Sequence, residues 1–481
     1  MVRLALCTIV VLSGVVATPV RALADGGSDA DAPPTAEQMR ALEQRVKELE
    51  TARATPAPSP PPAVSPSPPP APPQPLDVSE PTFGEFDFGW MNGNNPQPAS
   101  LLKTGPVTLS LYIDTYFGWQ FHEPIDHTVF PTTTAPRHNE ISLNLSHIGM
   151  DVTGLDGPIG RLYVQYGSTV ETIAGQDTTT TRGFYLTNRL LQNVQQAAVG
   201  WHFHRLHGIN AELGIFPSYV GLESYLPEEN WAYNHAFMSD FTPYYFFGFR
   251  GQFLLTARMK LELWVVNGWQ TFGQWHEARA GGYLWNWRPR EWLSLVNSVY
   301  AGREAEGDPD SLRLYTDNNL QVRYYKASDP GLVRSLAVSL VADVGHEHRG
   351  NAPSGWMGGL SLAHHVEWNE RWKTGVRIDF YDDQTQAISS KFPVGSTYAW
   401  PGTGKLVVGG ASVTLDYWPS PWLLTRLEYG HREANQPFFS GHGGITGPGG
   451  VPPVDAAGQA SFTPDLVRRD DRLTLNVTLR L

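Results

Sequence analysis

The residues best placed to do chemistry are charged, and they form two sets. One occupies the stretch Ser218 to Pro243, where Glu223, Glu228, Glu229 and Asp240 stand among Tyr219, Tyr225, Trp231, Tyr233 and Phe237. The other is scattered over segments of alternating polarity, where Arg161, Arg313, Arg323, Arg377 and Arg426, with Asp114, Asp379 and Glu428, share the polar parity. Residues two apart on an extended strand project the same way. Two such sets facing each other across water would select solutes by charge and dipole. The bland alternative is that these charges only solvate a wide aqueous space. Both signs occur, so the sequence leaves ion selectivity open.

Other chemistries find less support. His202 and His204 share a parity and supply half a zinc site, and His346, His348, His364 and His365 form a second group. No third ligand is identifiable for either, so polar strand ends are expected and no metal or other cofactor is. Ser142, Asn144, Ser146 and His147 are of the types a lipid hydrolase uses, but Ser146 and His147 are neighbours and point to opposite faces. There is no G-x-S-x-G nucleophile motif, phosphate loop or dinucleotide fingerprint. No enzymatic activity is expected.

Composition narrows the class. Arg3, the apolar run Leu4 to Val16 and the small-residue pattern Ala22-Leu23-Ala24 predict a signal peptide over 1–24, removed on export. The single cysteine, Cys7, lies within it, so disulfides and thiol chemistry are excluded from the mature chain. Beyond the leader, 33 basic residues face 47 acidic ones, and nothing suggests nucleic acid. No later stretch approaches the roughly 20 apolar residues that a spanning helix needs.

Three further regions follow. Within 25–54, Met39, Leu42, Val46 and Leu49 fall at a and d spacing and predict a short coiled coil. So few heptads are marginal alone, and association would stabilise them. Within 55–82, twelve prolines between Thr55 and Pro75 predict an extended, disordered linker of roughly 65 Å at about 3.1 Å per residue. Such a spacer would hold the coil in the periplasm. The remainder, 83–481, reads as strands.

Val107, Leu109, Leu111, Ile113, Phe117, Trp119 and Phe121 hold one parity while Thr108, Ser110, Tyr112, Asp114, Tyr116 and Gln120 hold the other. Leu473, Leu475, Val477, Leu479 and Leu481 alternate in the same way with Thr474, Asn476, Thr478 and Arg480. Seven short connectors alternate with eight longer ones, the rhythm of a closed antiparallel transmembrane β-barrel of about 16 strands, a count fixed to within two either way. Alternation alone would equally suit a soluble sandwich, with the oily face as core. Tryptophans favour the barrel: Trp287 and Trp292, Trp368 and Trp372, and Trp418 and Trp422 bracket three short turns, as a girdle at one bilayer face would.

FGEFDFGWMNGN from Phe83, then Arg137 to Glu140, and above all GINAELGIFPSYVGLESYLPEENWAYNHAF followed by VVNGWQTFGQW resemble the β-barrel porins described as OmpL-like. The resemblance runs over most of 83–481 and implies an all-β, porin-like barrel in the outer membrane of a Gram-negative bacterium. It implies little about substrate. The expectation is passive diffusion of small hydrophilic solutes or ions through a homotrimer assisted by the coil. Outer-membrane lipid surrounds it, and the barrel-assembly machinery recognises the last strand. A non-conducting receptor, adhesin or anchor is the main rival, followed by a barrel lipid hydrolase and a secreted all-β carbohydrate binder. The stretch Ser218 to Pro243 either folds inward as a constriction or caps the barrel outside.

Overall fold

The computed structural model describes residues 36–53, 82–94, 102–153, 155–177, 191–274, 278–305, 307–329, 331–389, 404–447 and 461–481, together with 450, 455, 457 and 459. The expected signal peptide and the proline-rich stretch Thr55 to Pro75 lie outside them. Helix α1, Ala36–Arg53, carries Met39, Leu42, Val46 and Leu49, all exposed.

Among the described residues the rest of the fold is mainly one closed sheet, with Lys103–Thr104 a short strand added to it and Phe439–Ser440 pairing separately with Leu466–Val467. Its sixteen strands are β1 (Val107–Gln120), β2 (Glu140–Val152), β3 (Pro158–Tyr166), β4 (Val194–Phe203), β5 (Ile209–Pro217), β6 (Tyr245–Thr256), β7 (Met259–Val266), β8 (Ala280–Arg290), β9 (Leu293–Gly302), β10 (Leu312–Lys326), β11 (Ser335–His348), β12 (Gly355–Glu367), β13 (Trp372–Asp383), β14 (Leu406–Ser420), β15 (Leu423–Ala434) and β16 (Arg469–Arg480). Each pairs antiparallel with the next. The ring closes where β16 meets β1, with Leu473 opposite Trp119 and Arg480 opposite Tyr112. Closure leaves no unpaired edge in a medium that offers no hydrogen bonds. Residues 153–157, 204–208, 257–258, 291–292, 327–334, 368–371 and 421–422 turn at one end, and the eight other connections, most of them longer, lie at the opposite end.

Burial decides between barrel and sandwich. Leu109, Ile113, Leu162, Val376, Ile378, Leu475 and Val477 are exposed, while Asp114, Arg377, Asp379, Thr474, Asn476 and Thr478 are enclosed. A sandwich would hide the first group and expose the second. Here the oily parity forms an outer belt and the polar parity faces the bore, as a membrane barrel requires.

The inner face is not wet throughout. Toward the long-loop end Phe216, Phe246, Trp264, Tyr300 and Tyr381 point inward and pack with Phe237, Phe241, Phe438 and Phe439 from the loops into one aromatic core. The expectation of a uniformly polar lining holds for the middle of the barrel and fails there, because the loops bring their own apolar surface inside and need a matching wall. Helix α2, Ser168–Ala174, packs apart from this core, with Ile173 against Ile215, Tyr245 and Phe272 and Val170 against Tyr112 and Leu145, and Thr172 donates to the carbonyl of Thr133 at 3.1 Å.

Candidate functional site

The third long loop, 218–244, folds into the barrel. Tyr219, Trp231, Tyr233, Phe237 and Phe241 are buried within it. Short 3₁₀ turns at Pro227–Glu229 and Ser239–Phe241 tighten its path. Enclosed irregular backbone has carbonyls and amides that no ladder satisfies, and each needs a partner. The wall supplies them. Arg426 on β15 donates to the carbonyls of Pro227 (2.9 Å) and Asn230 (2.8 Å) while Asp416 on β14 holds its Nε at 2.7 Å. Arg377 on β13 donates to the carbonyls of Asn234 (2.7 Å) and His235 (3.0 Å). Glu428 accepts the amides of Tyr233 (2.5 Å) and Asn234 (3.1 Å), and Asp379 accepts that of Phe237 at 3.3 Å.

The loop's own carboxylates are also paired. Glu223 meets Arg377 at 3.0 Å, and Arg377 Nε also donates to Asp379 at 3.2 Å. Glu228 and Glu229 share Nη1 of Arg480 at 2.5 and 2.6 Å. Asp240 accepts from Thr133 Oγ1 at 2.6 Å and lies 3.3 Å from Arg432. Asp114 accepts from Asn144, Tyr233, Asn476 and Thr478, the hydroxyl of Tyr233 at 2.8 Å. Charge-assisted contacts of this kind fix geometry more firmly than neutral ones. Burial pushes the carboxyl of Glu228 up to about 7, with Glu229 adding to the rise and Arg480 opposing it.

The expected ring of arginines across from loop carboxylates is therefore not what the strands build. Arg377 and Arg426 reach the loop directly, Arg377 paired there with Glu223 and Arg426 paired on the wall with Asp416. Arg161 pairs instead with Glu212 at 3.0 Å, beside Arg250, and Arg313 is enclosed with Glu347 under the ring of Trp269. Arg323 sits toward the short-turn end, bonded to Glu291 at 2.6 Å and facing the ring of Trp90. Shared parity put these side chains on one face, but different positions along their strands keep them apart.

Two cavities stand out, and the smaller adjoins the loop. One of about 390 Å³ is lined by Ser110, His147, Tyr163, Gln195, Glu229 and Arg480. A second of about 650 Å³ at the short-turn end is lined by Arg323, Lys326, Arg334, Glu367, Lys373 and Trp418 among others. Ser110 Oγ lies 3.1 Å from His147 Nε2, a pair missed in the sequence because the two are on different strands. The other neighbours of the His147 ring are Tyr112, Tyr163 and Gln195. Ser146 faces away and approaches the carbonyl of Tyr166. His202 bonds Asn210 and His204 bonds Asp156.

Of the bracketing tryptophans, Trp287, Trp292 and Trp372 are exposed, and Trp368 and Trp422 are half-buried. Trp418 departs from the expected girdle. It lines the cavity at the short-turn mouth under the ammonium of Lys373, because Tyr417 takes the outward position and packs against Trp372 with its ring tilted by 34°. Arg432, Arg472 and Arg480 also face inward, and in the sequence only the parity they share with Arg426 and Thr474 marks them. The segment Thr82 to Asn94, which also enters the barrel, gives no such signal.

No curated protein matches the chain. Solved structures that are similar include an anion-selective porin from Comamonas acidovorans, at 8% identity over 78% of this chain and 99% of that one, with a TM-score of 0.47. The outer membrane channel DcaP of Acinetobacter baumannii is 12% identical over 80% of this chain and 100% of its own, TM-score 0.47. OmpT, an outer membrane protein of Vibrio cholerae, is 9% identical over 80% and 100%, TM-score 0.45. The family model described as "Putative beta-barrel porin-2, OmpL-like" matches residues 106–467, and with that match over most of the sequence and a closed sixteen-stranded barrel, the chain belongs to this family of porin-like outer-membrane barrels.

Proposed function

We propose that this protein is an outer-membrane channel with a narrow polar bore, passing small hydrophilic solutes or ions passively and without covalent chemistry. The observation that carries this reading is the third loop, tied to the wall by Arg377, Arg426 and Glu428 and leaving a polar cavity of about 390 Å³ on its β1 to β4 side. A fixed loop with satisfied backbone narrows a bore without filling it, and ions then meet fixed charges at close quarters. The site residues act in this reading as scaffold first: Arg377, Arg426, Asp379 and Glu428 position the loop, while Glu228, Glu229 and Arg480 border the path and set its charge. The tryptophans at the short-turn end, Trp287, Trp292 and Trp372 foremost, anchor that rim in the interface.

The proposal extends to organisation. A signal peptide over 1–24 directs export, 25–54 forms a periplasmic coil, 55–82 is a linker, and 83–481 is the barrel. The exposed Met39, Leu42, Val46 and Leu49 on α1 support a homotrimer joined through that helix. The barrel-assembly machinery engages β16. A receptor, adhesin or anchor that does not conduct is the second reading, favoured by the aromatic packing of Phe237, Phe438 and Phe439 at the long-loop end. Recording the purified full chain in planar bilayers separates the two. Discrete openings, smaller than those of a wide water-filled porin, are expected, and silence over a range of salt concentrations would favour the second reading.

A further inference from the structure

The segment Thr82 to Asn94 precedes the barrel in sequence yet lies inside it. It begins at the turn between β6 and β7, where the amide of Phe83 donates to the carbonyl of Ala257 at 2.7 Å and Glu85 binds Arg258 at 2.5 and 2.7 Å. Arg288 on β8 faces the rings of Phe83 and Phe88. Further along, Trp90 is 2% exposed, donates Nε1 to the carbonyl of Glu291 at 2.9 Å and lies under Arg323. Asn92 exchanges two hydrogen bonds with the side chain of Gln321 on β10, at 2.8 and 3.3 Å.

At Asn92 the segment meets the third loop: its Oδ1 accepts the amide of Trp231 at 2.8 Å. Two residues on in the loop, Tyr233 reaches Asp114 on β1. The series Gln321, Asn92, Trp231, Tyr233 and Asp114 thus joins β10 to β1, seven strands away around a ring of sixteen, so it runs almost straight across the bore. Gly93 is the joint. It has φ of +69°, and a Cβ there would come within 2.2 Å of the carbonyl oxygen of Leu222. Gly93 also lines the cavity of about 390 Å³ left on the other side.

We propose that Thr82 to Asn94 is a second constriction element, inserted from the short-turn end, and that Trp90, Asn92 and Gly93 set the size of the bore together with the third loop. This rests on the reading of the protein as a channel. A packed tryptophan, a two-point amide pair and a glycine that alone fits against Leu222 specify a seated element rather than a passing strand of linker. Its departure would open the side of the bore toward β8 to β12, which it occupies in the closed arrangement.

The test uses the full chain, with Gly93→Val to push the segment off Leu222 and Trp90→Ala to remove its anchor without crowding. Met91, buried beside Trp90, is replaced by cysteine in each background, with Cys7 as the only native thiol. Heat-modifiable migration confirms that each barrel is closed. We expect Met91→Cys to label slowly with maleimide in the otherwise native chain and at least tenfold faster in both variants, with single-channel conductance raised severalfold in the same order. Fast labelling in the native background would overturn the proposal, since the segment would not be seated. Fast labelling only in the variants, with conductance equal to that of a conducting native chain, would overturn it while leaving the channel intact. Released segments with silent bilayers throughout would overturn the channel reading and this proposal with it.

Discussion

The two faces of β16 obey different rules. Outward, Leu473, Leu475 and Val477 stand exposed with no specific partner, and any apolar side chain of similar size would serve. Inward, Asn476 and Thr478 both donate to Asp114, at 3.1 and 2.8 Å, and Arg472 binds Asp470 at 2.9 Å. The outer face is specified by a solvent, the inner face by named partners. Substitutions outside should therefore act through membrane insertion, whereas substitutions inside should act through the loop the wall holds.

The largest effect is expected outside. Replacing Leu475 and Val477 by Lys puts two charges against lipid, at about 2 to 4 kcal/mol each near mid-bilayer. Folded, heat-modifiable barrel should be lost from outer-membrane fractions, and normal assembly would mean that the faces are reversed. Inside, Arg377→Ala strips the donor from the carbonyl of Asn234 and one of two donors from that of His235, which keeps Arg432, and leaves Glu223 and Asp379 without their buried cation. Removing one member of such a cluster costs about 3 to 5 kcal/mol. The barrel should still insert, with the loop loosened and the unfolding temperature lowered in a calorimetric scan.

Smaller effects concern charge at the path. Reversing Glu228 and Glu229 to Lys sets three cations together with Arg480 and should shift the reversal potential in a salt gradient toward anion preference. An unchanged potential would mean that ions pass elsewhere. The smallest effect is expected from pH. With its carboxyl pushed up to about 7, Glu228 gains a proton as pH falls from 8 to 6, which removes a negative charge beside Arg480 and lowers cation preference. Glu228→Gln should flatten that dependence, and an unaltered slope in the variant would assign it to another group.

Much of the outer wall was legible in the sequence because lipid imposes a period of two that neighbouring residues reveal by themselves. Leu109, Ile113, Leu475 and Val477 show it without knowledge of any partner. The inner network was legible only as parity. That Arg426 holds Pro227 and Asn230, nearly 200 residues away in sequence, depends on loop backbone that no local pattern encodes. Trp418 was misjudged from its bracket because the register shifts between Tyr417 and Ser420. The aromatic inward positions Phe216, Tyr300 and Tyr381 obscure the polar parity at the long-loop end, since Tyr381 answers to Phe237 and Phe241 in a distant loop, Tyr300 to Phe246 and Trp269, and Phe216 to Trp264. In the segment from Phe83 to Asn94 the alternation of Phe86, Phe88 and Trp90 spans only five residues, and so short a run does not announce a place inside the bore.

The central claim is that wall arginines hold the third loop across a conducting bore. Single-channel recording of the native chain beside Arg426→Ala tests it most directly. Small, steady openings in the native protein and larger, noisier ones in the variant are the predicted result. Identical openings in both, with the variant folded, would contradict it.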